Sequence, residues 1–530
     1  MRASGILMPV FSLPGPFGIG TLGSEATAFV DFLAEAKQTY WQILPIGPTG
    51  YGDSPYQSFS AFAGNPYFID YRLLADVGLL TADEVPAARP VGPIDYGALY
   101  NERPVILKKA ADRLLAASSP SYEAFCEAQS FWLEDYALFM AVKAEQGQAG
   151  LADWPDGLRC RKPEAIAAAK QRLAGAVDYY KAVQFFFYTQ WNALKAYANG
   201  KGVRLVGDIP IYVSPDSSDL WTHPELFQTD GEMHLTQVAG CPPDAFAADG
   251  QLWGNPLYRW DHHRNTGYDW WVTRISWCFR LYDVVRIDHF RGFDEYFSIP
   301  AKDKTAVNGH WEKGPGIELF QVIKARLGEK PIIAEDLGYV TDTVRRMVKE
   351  SGYPNMKVLE FAFDSRDSSG AGDYLPHNYE HNCVAYTGTH DNETILGWLS
   401  SIKPEEVQMV RAYLNRPTES KQVLASELVR TTIASVADTC IIPIQDYLGL
   451  DNSARINFPS TLGTNWRWRL IKSDLTKALA DSIRKQNIVY GRVKWEDLQE
   501  DEKPKDPEEE KETETEPKQK KDSSVKEAKD

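Results

Sequence analysis

VVRIDHF, residues 284–290, is a run of β-branched and apolar residues that ends at a carboxylate, Asp288. Three further segments have the same form, namely RLVGDIPIYV at 204–213, PIIAEDLG at 331–338 and VAYTGTHDN at 384–392. Parallel strands buried on both faces have this composition, and in a (β/α)8 barrel the functional residues lie at the carboxyl ends of the strands. We therefore expect Asp288, Glu335 and Asp391 to converge on one cleft from three different strands.

The rest of the chain supplies enough strands and helices for an α/β fold of the (β/α)8, or TIM-barrel, type. The predicted strands span 40–47, 64–70, 203–209, 283–288, 331–336, 356–363, 383–389 and 439–446. Helical spacing of apolar residues predicts helices over 24–38, 317–327, 340–350 and 473–486. A doubly wound nucleotide-binding sheet is disfavoured, because no G-x-G-x-x-G follows a predicted strand.

Two segments are too long for ordinary barrel connections and are predicted to be insertions. The predicted organisation is a barrel start over 1–71, a helical insertion over 72–198, the third strand within 199–210, an irregular insertion with an active-site lid over 211–280, the remaining barrel over 281–490 and a tail over 496–530. The tail holds 15 acidic residues and 8 lysines, with only Leu498 and Val525 as sizeable aliphatic residues. Such a composition buries too little apolar surface to fold, which predicts a disordered acidic tail.

Composition limits the partners and the compartment. The formal charge of −16 over 530 residues argues against nucleic acid or an anionic membrane as a partner, since both select basic surfaces. No apolar run approaches the roughly 18 residues of a membrane-spanning helix. The six cysteines are far apart in sequence, which is typical of free thiols in a reducing compartment. We expect a cytoplasmic protein.

Arg286 and Asp288 are two residues apart on one predicted strand, so their side chains point to the same face. A guanidinium beside a carboxylate keeps the carboxylate ionised, as a nucleophile requires, although an isolated R-x-D is more often a structural ion pair. Glu335 ends the apolar run PIIAE, where partial burial would raise its pKa, as a general acid requires; it could equally cap a helix. A convergent carboxylate cluster points first to glycosidic-bond chemistry.

His390 and Asp391 follow the turn TGT at the end of the seventh predicted strand, where both side chains would face the cleft. A metal site is rejected here, because no second histidine and no cysteine stands within four residues of His390. A serine hydrolase is unsupported, because the chain has no G-x-S-x-G elbow.

Aromatic residues in loops rich in Gly and Pro form a further group of candidates. Most of the chain's aromatic residues are expected in the core, but Tyr51, Tyr56, Trp221 and Trp253 stand in such loops and could bind the apolar faces of sugars. Segment 238–258 is stiff and apolar, with Phe246 and Trp253, and is predicted to cover the cleft and exclude water.

Together these segments resemble the strand-end regions of the α-amylase superfamily, and more closely the 4-α-glucanotransferases called amylomaltases or disproportionating enzymes. The resemblance covers most of 1–470. Its blocks are RASGILMPVFSLPGPFGIGTLG at 2–23, GDSPYQSFSAFAGNPY at 52–67, GDIPIYV at 207–213, VAGCPPDAFAADGQLWGNPLY at 238–258, RIDHFRGF at 286–293, AEDLG at 334–338, TGTHDN at 387–392 and NFPSTLGTNWRWR at 457–469.

The resemblance implies a role for each residue of the cluster. Asp288 matches the catalytic nucleophile, Glu335 the general acid/base and Asp391 the aspartate that stabilises the transition state. Arg286 and His390 match companions at the cleavage subsite, and Asp208 matches a supporting carboxylate. Tyr56, Phe246 and Trp253 are the further candidates for binding substrate.

The resemblance also implies a retaining transfer of α-1,4-glucan segments between maltooligosaccharides, with no organic cofactor and no calcium. Two other functions stay open from the residues alone. An α-glucan hydrolase would use the same three carboxylates, and a non-catalytic glycan-binding protein would keep the aromatic residues but lose a carboxylate.

Overall fold

The computed structural model describes residues 2–243, 248–338, 340–365 and 371–494, together with Glu496 and Leu498. Phe246 and nearly all of the predicted tail lie outside the described residues. The strands in the described part are β1 (Ala3–Leu7), β2 (Tyr40–Gln42), β3 (Arg204–Pro210), β4 (Gln237–Cys241), β5 (Gln251–Pro256), β6 (Val284–Asp288), β7 (Glu295–Pro300), β8 (His310–Lys313), β9 (Ile332–Ala334), β10 (Asn355–Val358), β11 (Cys383–Tyr386) and β12 (Thr439–Pro443).

The α-helices of the described part are α1 (Ser24–Glu35), α2 (Tyr71–Asp76), α3 (Tyr96–Ala116), α4 (Pro120–Ala128), α5 (Leu133–Glu145), α6 (Asp156–Arg159), α7 (Pro163–Arg172), α8 (Ala174–Gly200), α9 (Ser218–Thr222), α10 (Trp260–Asn265), α11 (Asp269–Leu281), α12 (Ile317–Leu327), α13 (Asp342–Ser351), α14 (Ile395–Ser401), α15 (Pro404–Leu414), α16 (Lys421–Ala434), α17 (Ile444–Leu448) and α18 (Lys477–Val489). Within the described residues, no helix combines the length and the apolar character that a bilayer span requires.

Eight strands form one parallel sheet in the order β10-β11-β12-β1-β2-β3-β6-β9. The two ends of this order meet, because the N–H of Ala334 donates to the carbonyl of Pro354 at 3.0 Å and the N–H of Met356 donates to Asp336 at 3.1 Å. These contacts bring the edges together into a nearly closed barrel, which removes the exposed edges that an open sheet would present. The predicted TIM barrel is confirmed.

The first barrel strand is β1, which the sequence prediction missed. Ala3, Ser4 and Gly5 have low β propensity, yet all five residues of β1 are buried between β12 and β2. A Cβ on Gly5 would lie 2.6 Å from the Cβ of Tyr40, so the close approach of β1 and β2 requires glycine there. The segment predicted as the first strand, 40–47, is therefore the second, and only Tyr40–Gln42 is extended in the sheet.

The prediction of a strand over 64–70 is wrong. Pro66 lacks an N–H for a ladder, and the Asn65 side chain accepts from the N–H of Tyr67, so Pro66–Phe68 forms a 3-10 turn. The sixth and eighth strands are shorter than predicted, since Leu359–Phe363 is a 3-10 helix and α17 begins at Ile444.

The connection between β2 and β3 carries the helices α2 to α8. The longest of them, α8, buries Phe187, Trp191 and Leu194 on one face, and the indole of Trp191 donates to the carbonyl of Leu281 at 3.2 Å. This face fixes the helical segment against the barrel.

The segment 211–280, predicted to be irregular, holds ordered structure. Its strands β4 and β5 join β7 and β8 in an antiparallel sheet of order β5-β4-β7-β8. The helices α9, α10 and α11 also lie in this segment. Its Gly and Pro content concealed short strands that pair with residues beyond the segment. This second sheet brings β5 to the carboxyl ends of the barrel strands.

Candidate active site

The pairing of β3, β6 and β9 places the predicted carboxylates at one end of the barrel. In the register of these strands, Asp208 lies beside Arg286 and Ile287 lies beside Ala334. The ladder continues past β9, because the N–H of Glu335 donates to the carbonyl of Ile287 at 3.2 Å. Asp288 and Glu335 therefore lie at adjacent positions of neighbouring strands.

Arg286 joins two carboxylates. Its Nη1 donates to both oxygens of Asp208 at 2.8 and 2.7 Å, and its Nη2 donates to Oδ1 of Asp288 at 2.9 Å. Asp208 is fully buried, whereas 29% of the Asp288 side chain is exposed to the cleft. Burial alone would lower the pKa of Arg286, but the carboxylates of Asp208 and Asp288 outweigh it and raise that pKa. Arg286 therefore stays charged and orients Asp288 while leaving it accessible.

Glu335 has a very different environment. It is nine-tenths buried, and its oxygens accept from the backbone N–H groups of His289 at 2.7 Å and Leu337 at 2.8 Å. His289 has a left-handed backbone, with φ of 54°. Burial first, and then the charge of Asp288, raises the pKa of Glu335 to about 8 despite the two backbone donors. Two adjacent carboxyl groups thus differ in exposure, and the more buried one is able to hold a proton at neutral pH.

Asp391 lies in the loop after β11 and is fixed through Oδ1. Asn457 donates to this oxygen from Nδ2 at 2.6 Å, and Nε2 of His390 lies 3.3 Å from it. The carbonyl of Asp391 accepts from Nη2 of Arg455 at 2.7 Å. Nearly half of the Asp391 side chain is exposed, so the carboxylate can reach a ligand in the cleft.

One wall of the cleft is aromatic. The ring of Tyr56 stacks on His390 with centroids 5.2 Å apart and an interplanar angle of 17°, and Trp466 lies 6.1 Å from Tyr56. The hydroxyl of Tyr56 donates to Oδ2 of Asp208 at 2.8 Å. On another side, Trp253 of β5 contacts the ring of His289 edge to face at 4.9 Å.

These walls enclose a cleft of about 600 Å³ that Asp288, His390 and Asp391 line together with Tyr56 and Trp253. Its size and its mixture of aromatic and polar groups suit an oligosaccharide. Among the described residues, no group of three or more His, Cys, Asp or Glu side chains is arranged to hold a metal ion.

The structure therefore gathers eight of the nine predicted site residues around the barrel end, and the ninth, Phe246, lies outside the described residues. Two further aromatic residues were suggested as sugar-binding candidates. Trp221 is fully buried in α9, where its indole donates to the carbonyl of Leu158, so it is a core residue and cannot bind a sugar. Tyr51 is fully exposed.

The sequence prediction missed the wall formed by 455–466. Asn457, Asn465 and Trp466 line the cleft there, and Trp466 has a positive φ of 64°. The signal available in the sequence was the block NFPSTLGTNWRWR at 457–469. Its Asn and Trp residues do not follow a predicted strand, so they were not chosen as site candidates. Tyr212, which follows β3 and lines the same cleft, was missed as well.

Comparison with known proteins identifies the family. A family profile described as 4-alpha-glucanotransferase, glycoside hydrolase family 77, matches residues 8–474.

The chain belongs to this family.

Relatives of this 4-alpha-glucanotransferase family agree over nearly the whole chain. The 4-alpha-glucanotransferase of Streptococcus pneumoniae serotype 4 is 46% identical over 499 residues, covering 93% of this chain and 98% of the relative. That of Thermus thermophilus is 46% identical over 484 residues, covering 90% and 96%. A solved amylomaltase from Streptococcus agalactiae, in complex with acarbose, superimposes with a TM-score of 0.90 at 43% identity, covering 93% of this chain and all of that one.

Proposed function

We propose that Asp288, Glu335 and Asp391 carry out the reaction of this 4-alpha-glucanotransferase as nucleophile, general acid/base and transition-state stabiliser. The enzyme transfers α-1,4-glucan segments from a donor glucan to acceptor sugars, as its family does. The observation that carries the assignment of roles is the pairing of Asp288 with Glu335 on neighbouring strands. Asp288 accepts from Arg286 and is partly exposed to the cleft, whereas Glu335 is buried and has a pKa of about 8.

The spacing of the two strands supports a retaining reaction. Neighbouring strands are about 4.8 Å apart, and Asp288 and Glu335 stand at adjacent positions at their ends. We therefore expect the two carboxyl groups to lie about 5–5.5 Å apart, the separation typical of retaining enzymes. An inverting enzyme needs several ångströms more to admit a water molecule opposite the leaving group.

In the first half of the reaction, an oxygen of Asp288 attacks the anomeric carbon of the donor and the glycosidic C–O bond breaks. The proton of Glu335 goes to the departing oxygen, which leaves as the 4-hydroxyl of the released sugar, and a covalent glycosyl ester of Asp288 remains. Arg286, which contacted the carboxylate of Asp288 before the attack, then contacts the neutral ester. Asp391 and His390 hold hydroxyl groups of the sugar as its ring flattens.

In the second half, the ionised Glu335 takes the proton of the 4-hydroxyl of an acceptor sugar. The acceptor oxygen attacks the anomeric carbon, the ester bond breaks, and Asp288 regains its charge. Two inversions restore the α configuration. Because Trp253 and Tyr56 line the cleft, a sugar can occupy the acceptor site by stacking and exclude the water that would otherwise hydrolyse the ester.

The binding partners follow from the same assignment. Maltooligosaccharides and longer α-1,4-glucans act as donors and acceptors, and no metal or organic cofactor enters any step. We place the enzyme in the cytoplasm, and the six free cysteines support this, since three of them are buried thiols that are typical of a reducing compartment.

Two substitutions and two donors test the roles. Asp288→Asn should abolish turnover of maltotriose and of an activated glycosyl fluoride, because both need the nucleophile. Glu335→Gln should lose turnover of maltotriose but keep glycosylation by the fluoride, whose leaving group needs no proton. Equal losses with both donors in Glu335→Gln would contradict the acid/base role. Product analysis completes the test, since transfer from maltotriose gives glucose with longer oligomers, whereas hydrolysis gives glucose and maltose.

A further inference from the structure

Arg455 joins the loop of Asp391 to the wall of the cleft. Its Nη2 donates to the carbonyl of Asp391 at 2.7 Å, and its Nε donates to the carbonyl of Asn457 at 2.8 Å. Asn457 in turn donates to Oδ1 of Asp391 at 2.6 Å. One planar guanidinium therefore fixes the backbone of Asp391 and, through Asn457, one oxygen of its carboxylate. Lysine could not reproduce this fork of two donors.

The guanidinium also touches the segment that lines the cleft. Its central carbon lies 4.2 Å from the ring centre of Phe458. The N–H of Phe458 donates to Oδ1 of Asn465 at 3.0 Å, and Nδ2 of Asn465 donates to the carbonyls of Phe458 and Thr461. Thr461 and Asn465 line the cleft. A displacement of this wall would therefore move Arg455, and with it the Asp391 loop.

Behind the loop, Arg455 faces buried acid groups. Glu360 is buried and its Oε1 has no hydrogen-bond partner among the described residues. Glu393 and Asp446 contribute negative charge to the surroundings of Glu360, and Arg455 contributes positive charge. Burial and the neighbouring carboxyl groups raise the pKa of Glu360 well above its usual value, and the positive charge of Arg455 partly offsets this rise. This attraction favours keeping the guanidinium under the loop.

We infer that Arg455 is a positioning residue for Asp391 in the transfer reaction. We also infer that it couples the position of residues 458–465, which are part of the wall at 455–466, to the orientation of the Asp391 carboxylate. Within the described part of the chain, the two contacts made by the Asp391 side chain both fall on Oδ1. Oδ2 is then the oxygen directed by Arg455 and Asn457 toward the hydroxyl groups of the sugar. The inference rests on the role proposed above for Asp391.

The test compares Arg455→Met with Arg467→Met. Arg467 directly follows the wall at 455–466, but its guanidinium donates to the carbonyls of Ile94 and Gly463. The measurements are kcat and KM for maltotriose, the affinity for acarbose by titration calorimetry, and the melting temperature. Acarbose is the probe because its flattened ring resembles the transition state in which Asp391 would act. Arg455→Lys, which keeps the charge, is the second variant should Arg455→Met fail to fold.

We expect Arg455→Met to lower kcat and acarbose affinity by about 10- to 100-fold, the range for misplacement of a group by roughly 1 Å, while KM changes less than about threefold. Arg455→Lys should show a smaller loss in the same direction. In an Asp391→Asn background, removing Arg455 should cause no further loss of acarbose affinity, because residues that act through one another are not additive.

Two results would overturn the inference and leave the role of Asp391 intact. One is that the Arg455 and Arg467 variants have equal effects. The other is that Arg455→Met, or Arg455→Lys if the Met variant is unfolded, loses as much acarbose affinity in the Asp391→Asn background as in the wild-type background. If Asp391→Asn by itself left turnover and acarbose affinity unchanged, the proposed role of Asp391 would fail instead.

Discussion

Replacing Glu335 by glutamine should change the pH dependence of stability as well as the reaction. In the folded chain the pKa of Glu335 is raised from 4.5 to about 8, by burial and by Asp288. Between these two values the folded chain holds a proton that the unfolded chain has released. The free energy of unfolding of the wild-type protein therefore falls as the pH rises from about 4.5 to 8, and it stops falling above 8, where Glu335 is ionised in both states.

The size of the effect follows from the change in pKa. Each pH unit in that window costs about 1.4 kcal/mol, so the full window amounts to roughly 3–5 kcal/mol of the free energy of unfolding. Unfolding entropy for a chain of 530 residues is about 1 kcal/mol per kelvin if it unfolds as one unit. Glutamine does not titrate, so the melting temperature of Glu335→Gln relative to wild type should rise by roughly 3–5 °C between pH 5 and pH 8.5.

The assay is scanning calorimetry of both proteins across pH 5–8.5, with the difference in melting temperature plotted against pH. Only the slope of this difference matters, because loss of a hydrogen bond to the backbone N–H of His289 or Leu337 shifts the glutamine variant by a constant amount. In an Asp288→Asn background the slope should be shallower, since one cause of the raised pKa is gone. Glu123→Gln, exposed on α4, is the matched control. Parallel curves for wild type and Glu335→Gln would refute the reasoning.

Two further predictions concern the walls of the cleft. Tyr56→Phe removes the hydrogen bond to Oδ2 of Asp208 but keeps the stack on His390. A hydrogen bond to a charged group is worth about 1.5–3 kcal/mol, so kcat/KM for maltotriose should fall at least tenfold. A change below twofold would contradict this expectation. Trp253→Ala opens the side of the cleft next to His289 and should lower transfer severalfold more than hydrolysis, whereas Trp311→Ala on β8 of the same sheet should leave the product ratio unchanged. An unaltered ratio of glucose to longer oligomers in Trp253→Ala would show that this residue does not exclude water.

The carboxylates could be predicted from the sequence because each stands at the end of its own apolar strand. Asp208, Asp288 and Glu335 follow runs whose composition alone predicts a buried parallel strand, and the geometry of a barrel then brings strand ends together. Arg286 could be added from spacing, since residues two apart on a strand share a face. The structure added the physical cause of the raised pKa of Glu335, which depends on burial and on Asp288, 47 residues away in sequence.

The sequence by itself determined the barrel class, seven of its eight strands, the carboxylate cluster and the family, since each of these is written in short local segments. Tertiary structure alone decided which residues form the first strand, because Ala3–Leu7 is extended through pairing with Thr439–Pro443 and Tyr40–Gln42 and not through its own propensity. It also decided the wall at 455–466 and the antiparallel sheet that carries Trp253. The physical reason is the same in each case: these elements are stabilised by partners that lie elsewhere in the sequence, and local composition does not record those partners.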